Sequence, residues 1–268
     1  MPHQPEPTTR QLALRILDVV RVQDLTPRMR RIVLGGEALS GFEVPSHALG
    51  PFVKLLIPPQ GAADPAWPSL DERGRLTWPE VGRRPVMRTY SVRRLDAGAR
   101  EMHIDFVLHG DAGIGSAWAA RAAPGMRVGI WGPGCTTVRD IDWYLLAGDH
   151  TALPAIGFIL ENLPRAARGQ AFIAVPDAAD EIPLAAPEDL AVTWLHAGPG
   201  RASGGLLEAV RSMPWRDGRA LVWAGAEASL ARAIRLHARK ERCLPGDQCH
   251  ILNYWKDGKA EGSFDYTR

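Results

Sequence analysis

The sequence predicts a β + α/β chain: an all-β first half and an open, parallel-sheet α/β second half. Two observations carry this. From Leu14 to about Phe106, short runs rich in Val, Ile, Leu and aromatics ("RILDVVRV", "RRIVLGG", "FVKLLIP", "RTYSVRRL", "EMHIDFVL") are separated by Gly, Pro, Asp and Ser clusters with no helical pattern between them, the signature of a barrel or sandwich. Beyond Arg139, apolar runs alternate with helical periods, which is what parallel strands and their crossover helices require. The break is expected between Thr137 and Asp142, giving domains 1–139 and 140–268, and a length of 268 residues suits two domains.

Within the first half, Pro58 to Glu80 is punctuated by Pro and Gly and reads as a long loop or hairpin excursion. "SAWAARAAP", from Ser116, reads as a short Ala-rich helix with a serine able to cap its start. "GMRVGIWGPG" then returns to strand and stops at a turn. In the second half "WYLLAGD", "QAFIAVPD", "VTWLHAG" and "ALVWAGA" read as four strands. "TALPAIGFILENLP", "GGLLEAVRSM" and "EASLARAIRLHARKER" read as helices, the first with apolar residues at Ala152, Ile156, Ile159 and Leu160.

Composition narrows the function classes. A formal net charge of +2 without a long basic run argues against nucleic-acid binding. Three cysteines (Cys135, Cys243 and Cys249) without metal-ligand spacing argue against a zinc site or a disulfide framework, and suit free thiols in the cytoplasm. No apolar run of membrane-spanning length and no signal-peptide pattern is present, so a cytoplasmic protein without stable membrane association is expected.

The sharpest local signal is "RTYSVR". Arginine suits a phosphate, a tyrosine ring offers a flat surface to a fused aromatic system, and a serine hydroxyl can bond a ring nitrogen. Those are the demands of a flavin. Beyond the next strand, His109 and the helix opening at Gly115 and Ser116 offer backbone N–H groups and a positive dipole end to a pyrophosphate. In the second half, ligands of a parallel sheet bind beyond the strand carboxyl ends, which brings Gly148 and Thr151 into a crevice, Gly148 for close approach and Thr151 as a helix cap. Asp177, after the second such strand, could accept from a ribose 2′-hydroxyl and repel a 2′-phosphate. No GxGxxG is present.

Together these segments resemble the siderophore-interacting proteins, FAD-containing ferric-siderophore reductases of the ferredoxin-reductase-like superfamily. The likeness runs in order through "LTPRMRRIVLGGEALSGF", "FVKLLIP", "RTYSVRR", "DFVLHGDAG", "WAARAAPG", "GPG", "LLAGDHTALPAI", "ERCLPGD" and "YWKDG". It implies an N-terminal antiparallel six-stranded flavin-binding β-barrel, then a nicotinamide-binding α/β domain carrying a C-terminal substrate-site tail. Arg88 would hold the cofactor phosphate, Tyr90 and Ser91 the isoalloxazine, with Arg93 next to them. His109, Asp111 and Ser116 would wrap the pyrophosphate and adenosine. Gly148, Asp149, Thr151 and Ala152 would approach the nicotinamide and the flavin edge.

The resemblance further implies a relay from NADH or NADPH through FAD to chelated Fe(III), with no catalytic side chain and no protein-held metal. NADH is the preferred donor on the strength of Asp177, and ferredoxin is the other electron source considered. Ferric siderophores are commonly anionic, which makes Lys54, Arg242 and Lys256 the expected substrate cations. A monomer is expected. The chain departs from the family pattern at Phe52 (usually His), Ile114 (often Pro), His150 (usually Glu) and Asn253 (usually Gly), and it lacks an Arg-Arg pair after the tail motif. The competing readings are a general flavin oxidoreductase serving a protein or free flavin, and a non-catalytic ferric-chelate binder.

Overall fold

Residues 14–62, 65–73, 75–110, 113–198, 205–259 and 261 are described by a computed structural model. The first half holds β1 (Leu14–Thr26), β2 (Met29–Gly35), β3 (Ala48–Ile57), β4 (Ser69–Leu70), β5 (Leu76–Thr77), β6 (Val86–Ser91), β7 (Arg94–Asp96), β8 (Glu101–Val107), α1 (Ile114–Arg121) and β9 (Arg127–Thr137). Strands β4 and β5 form a separate two-stranded hairpin in the Pro58–Glu80 excursion. The other seven form one antiparallel sheet in the order β6-β3-β9-β1-β2-β8-β7.

Seven strands stand where six were expected because one strand is bent. β6 and β7 are two arms of a single run interrupted at Val92 and Arg93, and they lie at opposite ends of the strand order. At the bend Val92 N–H donates to the carbonyl of Pro51 at β3, and Arg93 N–H to that of His103 on β8. Those two bonds close the sheet into a barrel, which leaves no free edge at that point.

Alternation fills the barrel. Leu17 and Val19 of β1, Val53, Leu55 and Ile57 of β3, and Met102, Ile104 and Phe106 of β8 are buried in one cluster, the period-two pattern a pleated strand imposes. Helix α1 adds Trp118 and Ala119 to the same cluster, with the Trp118 ring 5.6 Å from Phe106.

The second half holds β10 (Trp143–Gly148), α2 (Leu153–Asn162), β11 (Gly169–Val175), β12 (Leu190–His196), α3 (Leu206–Ser212), β13 (Ala220–Glu227), α4 (Ala228–Leu236) and β14 (Cys249–Trp255). Its sheet is wholly parallel, in the order β12-β11-β10-β13-β14. The strand order reverses between β10 and β13, so their carboxyl ends form the topological switch point where such sheets open a crevice.

Two features differ from the expected pattern. The run "HILNYW" is a fifth strand, β14, not just a tail. The β11–β12 connection carries only a 3₁₀ turn, Ala178–Asp180, in place of a crossover helix. Pro183 and Pro187 in that connection lack the N–H a helix needs.

The halves are tied by packing and charge. Met29 and Leu49 of the barrel share a cluster with Leu153, Ile156 and Ile159 of α2. Thr26 donates a hydroxyl bond of 2.9 Å to the fully buried Asp180, and Arg28 pairs with the same carboxylate. Arg93, 6% exposed, makes a two-pronged ion pair with Glu161 of α2 at 2.7 and 2.5 Å. Among the described residues no helix is long and apolar enough to cross a membrane.

Candidate functional site

Among the described residues strand β6 is paired by β3 on one side only, and its last residue, Ser91, meets the second domain at Tyr254. Tyr90 packs its ring 4.3 Å from Phe106, and its hydroxyl lies so close to Gly115 that a Cβ there would fall 1.9 Å from it. Burial pushes the Tyr90 phenol well up, with the Glu261 carboxylate adding to the effect and Arg88 opposing it. Arg88 donates to the carbonyl of Met87 at 2.8 Å and pairs with no described carboxylate, which leaves its remaining donors for an anion. Ser91 is 9% exposed, and its hydroxyl lies 3.2 Å from that of Tyr254.

Helix α1 opens beside this strand. Gly113 is its N-cap, and a Cβ there would lie 2.5 Å from the His109 ring. Ser116 lies inside the first turn and is not its cap; its hydroxyl accepts from His109 N–H at 3.0 Å and donates to the Gly110 carbonyl at 2.9 Å. It therefore folds the preceding loop onto the helix. Asp111 lies outside the described residues. Bare glycine backbone at the helix start, an arginine without an acidic partner and a tyrosine laid across that start fit a flavin dinucleotide: Arg88 and the α1 amides would hold its phosphates, and Tyr90 and Ser91 its ring.

At the switch point the decisive group is Asp149. It is 3% exposed and accepts from Thr151 N–H (2.9 Å), Thr151 hydroxyl (2.5 Å), Glu227 N–H (2.8 Å) and the Trp255 indole N–H (2.8 Å). Burial pushes its carboxyl up, and these four donors pull against it. Three of these donors are N–H groups that can only donate, and they favour the ionised, acceptor-only carboxylate against the burial. Asp149, and not Thr151, is thus the capping residue, joining the ends of β10, β13 and β14. Gly148 is required by packing as well as by approach: a Cβ there would meet Ala152 at 2.6 Å and Ile156 at 2.8 Å. Ala152 itself is fully buried.

Asp177 caps the 3₁₀ turn through Ala179 N–H (3.0 Å) and pairs with Arg28 (3.0 Å). The N–H bond and the guanidinium hold its carboxyl below the usual range. It stays charged and 45% exposed.

Of the three expected substrate cations, Lys54 lies beside the flavin-motif strand and Lys256 at the carboxyl end of β14. Lys54 lies opposite Thr89 in the β3–β6 register and donates to its hydroxyl at 2.5 Å. Lys256 directly follows Trp255 and is bridged to Lys259 across a turn. Arg242 does not belong with them. Its guanidinium lies over the Trp215 ring at 5.0 Å, and Trp215 packs edge-on against Trp143, the first residue of β10. That is the amino-terminal edge of the parallel sheet, the end away from the crevice.

Sequence reasoning missed Tyr254, Trp255, Arg28 and Glu261. Tyr254 was within reach, because strand alternation through "HILNYW" puts Ile251 and Asn253 on one face and Leu252 and Tyr254 on the other. Glu261 carries no local signal, lying in a polar tail. The departures settle into ordinary positions: the Phe52 ring fills the space a Cβ at Gly134 would need, Ile114 is 43% exposed, and His150 and Asn253 are buried.

Sequence profiles for the siderophore-interacting FAD-binding domain and the siderophore-interacting protein match residues 18–137 and 141–258. The chain belongs to the siderophore-interacting protein family. It is 34% identical over 258 residues to the ferric vibriobactin reductase ViuB of Vibrio cholerae, covering 95% of this chain and 93% of that one. It is 35% identical over 199 residues to the NADPH-dependent ferric-chelate reductase of Escherichia coli, covering 72% and 76%. A siderophore utilization protein from T. fusca superposes with a TM-score of 0.84 at 39% identity, over 96% and 97% of the two chains. More distant solved reductases, at 19% and 11% identity, share the two-domain ferredoxin-reductase-like fold.

Proposed function

We propose that this siderophore-interacting protein is a cytoplasmic ferric-siderophore reductase in which reduced nicotinamide supplies a hydride and chelated Fe(III) takes the electrons. The observation that carries the reading is the contact of Ser91 with Tyr254: the flavin-motif strand of the barrel meets the switch-point crevice of the parallel sheet there. When bound, FAD supplies the conversion of a two-electron donor into one-electron steps. One hydride then accounts for two Fe(III) reduced to Fe(II) and one proton released. The named activities of the Vibrio and Escherichia relatives support the same class.

The chain's own residues bind and orient. Arg88 and the α1 amides carry the phosphates, Tyr90 and Ser91 the ring, and the Asp149 network holds the tail against them. Lys54 and Lys256 attract the anionic chelate. NADH is the donor favoured by the charged, exposed Asp177, which would receive a ribose 2′-hydroxyl and repel a 2′-phosphate. The three unpaired cysteines suit a reducing compartment.

The test is a visible spectrum of the FAD-loaded protein, anaerobic titration with NADH and NADPH, and reoxidation by a panel of ferric chelates. The expected result is bleaching by a nicotinamide and rapid recovery on adding a ferric siderophore. Recovery only with ferredoxin or a cytochrome would make it a general flavin oxidoreductase, and a spectrum bleached by no donor would make it a chelate binder.

A further inference from the structure

The tail places a carboxylate beside the cation expected to receive the acceptor. Glu261 accepts from the backbone N–H of Thr89 with both oxygens (3.0 and 2.9 Å), from the Thr89 hydroxyl (2.5 Å) and from Lys54 Nζ (3.4 Å). The Thr89 hydroxyl accepts from Lys54 in turn, so these donors converge on the Glu261 carboxylate. Thr89 is flanked by Arg88 and Tyr90 of the flavin motif, on a strand whose other edge carries no partner strand among the described residues. An unpaired strand N–H, a hydroxyl and an ammonium together make a compact anion-binding site, and charge-assisted bonds of this kind are the strong ones. The Glu261 side chain is only 18% exposed while it fills that site.

The route of the chain explains how it gets there. After β14 the backbone reverses at Asp257–Gly258, with Gly258 at φ 67° and Lys259 N–H bonded to the Lys256 carbonyl at 3.0 Å. This turn carries the tail from the parallel sheet back to the barrel, and Glu261 meets the open edge of β6.

We propose that Glu261 is a specificity-determining residue for the electron acceptor: its carboxylate occupies the Lys54–Thr89 anion site, and an anionic ferric chelate must displace it to dock. The inference rests on the reductase reading above. With Glu261 seated, a chelate anion approaching Lys54 meets a neutralised ammonium and a like charge; a neutral chelate gives up no ion pair there. Acceptor choice is therefore set by competition, highly anionic chelates being penalised relative to neutral ones.

The experiment uses the full chain loaded with FAD and redox-inert Ga(III) complexes of a trianionic tris-catecholate and of a neutral trihydroxamate, with binding followed by perturbation of the flavin spectrum. Glu261→Gln keeps the shape and removes the charge. It should bind the tris-catecholate about tenfold tighter and leave the trihydroxamate unchanged, and the gain should vanish in a Lys54→Ala background. Glu261→Ala should show the same selectivity. Equal gains for both complexes, weaker tris-catecholate binding or no change would overturn the proposal. Reoxidation of the reduced protein by the matching Fe(III) complexes separates the two failures. If iron is reduced and Glu261→Gln alters no binding, only the proposal falls; if Ga(III) binding responds as expected and no iron is reduced, only the reductase reading falls.

Discussion

The hydroxyls of Ser91 and Tyr254 stand 3.2 Å apart across the seam between barrel and parallel sheet. Each is fixed from behind: Ser91 by the β3–β6 ladder, Tyr254 by Gly225, where a Cβ would sit 2.8 Å from its ring. Burial pushes the Tyr254 phenol up to about 12, so it remains a neutral hydroxyl at physiological pH. Tyr254→Phe removes that partner and should cost about 1 kcal/mol in urea unfolding. It also frees the Ser91 hydroxyl towards the flavin ring, and a shift of the visible band of the FAD-loaded variant is expected. An unshifted band would show that Ser91 does not face the ring.

Asp149→Asn offers one acceptor oxygen where the native carboxylate offers two, and turns an NH₂ towards N–H donors. Two of the four donors lose their partner, a cost of about 2–4 kcal/mol. Urea midpoints measure it. Because Trp255 is one of the four, tail order should fall as well, read as increased proteolytic cleavage after the Trp255–Lys256 pair; a variant of native stability and native cleavage pattern would contradict the network.

Asp177→Ala removes the carboxylate proposed to receive a donor ribose and releases one partner of Arg28. The ratio of kcat/KM for NADPH over NADH should rise about tenfold, the equivalent of about 1.4 kcal/mol. Steady-state rates with both donors test this, and an unchanged ratio would remove Asp177 from donor choice.

Three half-buried or buried histidines, His103, His150 and His250, are held below the ordinary imidazole value chiefly by burial. A group whose folded value is depressed contributes stability above its unfolded value, about 6.5, and loses it as pH falls towards the folded value, because the unfolded chain binds more protons in that window. Stability should therefore decline from pH 7.5 to 5.5, and His150→Gln should shrink the decline. His150 Nε2 has no hydrogen-bond partner among the described residues, so its neutral state is set by desolvation and not by a bond the variant would break. A flat urea midpoint across that range would refute the assignment.

The barrel and the parallel sheet were legible because both are written in local periodicity, two residues per repeat in one and apolar runs alternating with helical turns in the other. "RTYS" was legible because its side chains state their chemistry within four positions. Asp149 was named as a residue approaching the nicotinamide, but its part in joining three strand ends was not legible, since two of its partners lie 78 and 106 residues away. Arg242 was misplaced for a geometric reason. It precedes Lys256 closely in sequence, yet the seven residues of β14 intervene, and an extended strand of that length spans roughly 20 Å, from one edge of the sheet to the other. Ser116 has the chemistry of a cap but stands two positions inside the helix, a distinction that only the backbone reveals.

The bend in the strand at Val92 and Arg93 has a thermodynamic consequence. Two adjacent amides bond to β3 and β8 on either side of the bend, and the side chain of the second reaches Glu161 in the other domain. Opening the barrel there breaks the ion pair, and undocking the domains strips a 6% exposed arginine of its counter-charge. Loss of native structure in either half therefore disturbs the Arg93–Glu161 contact, and the bend couples the stability of one domain to that of the other.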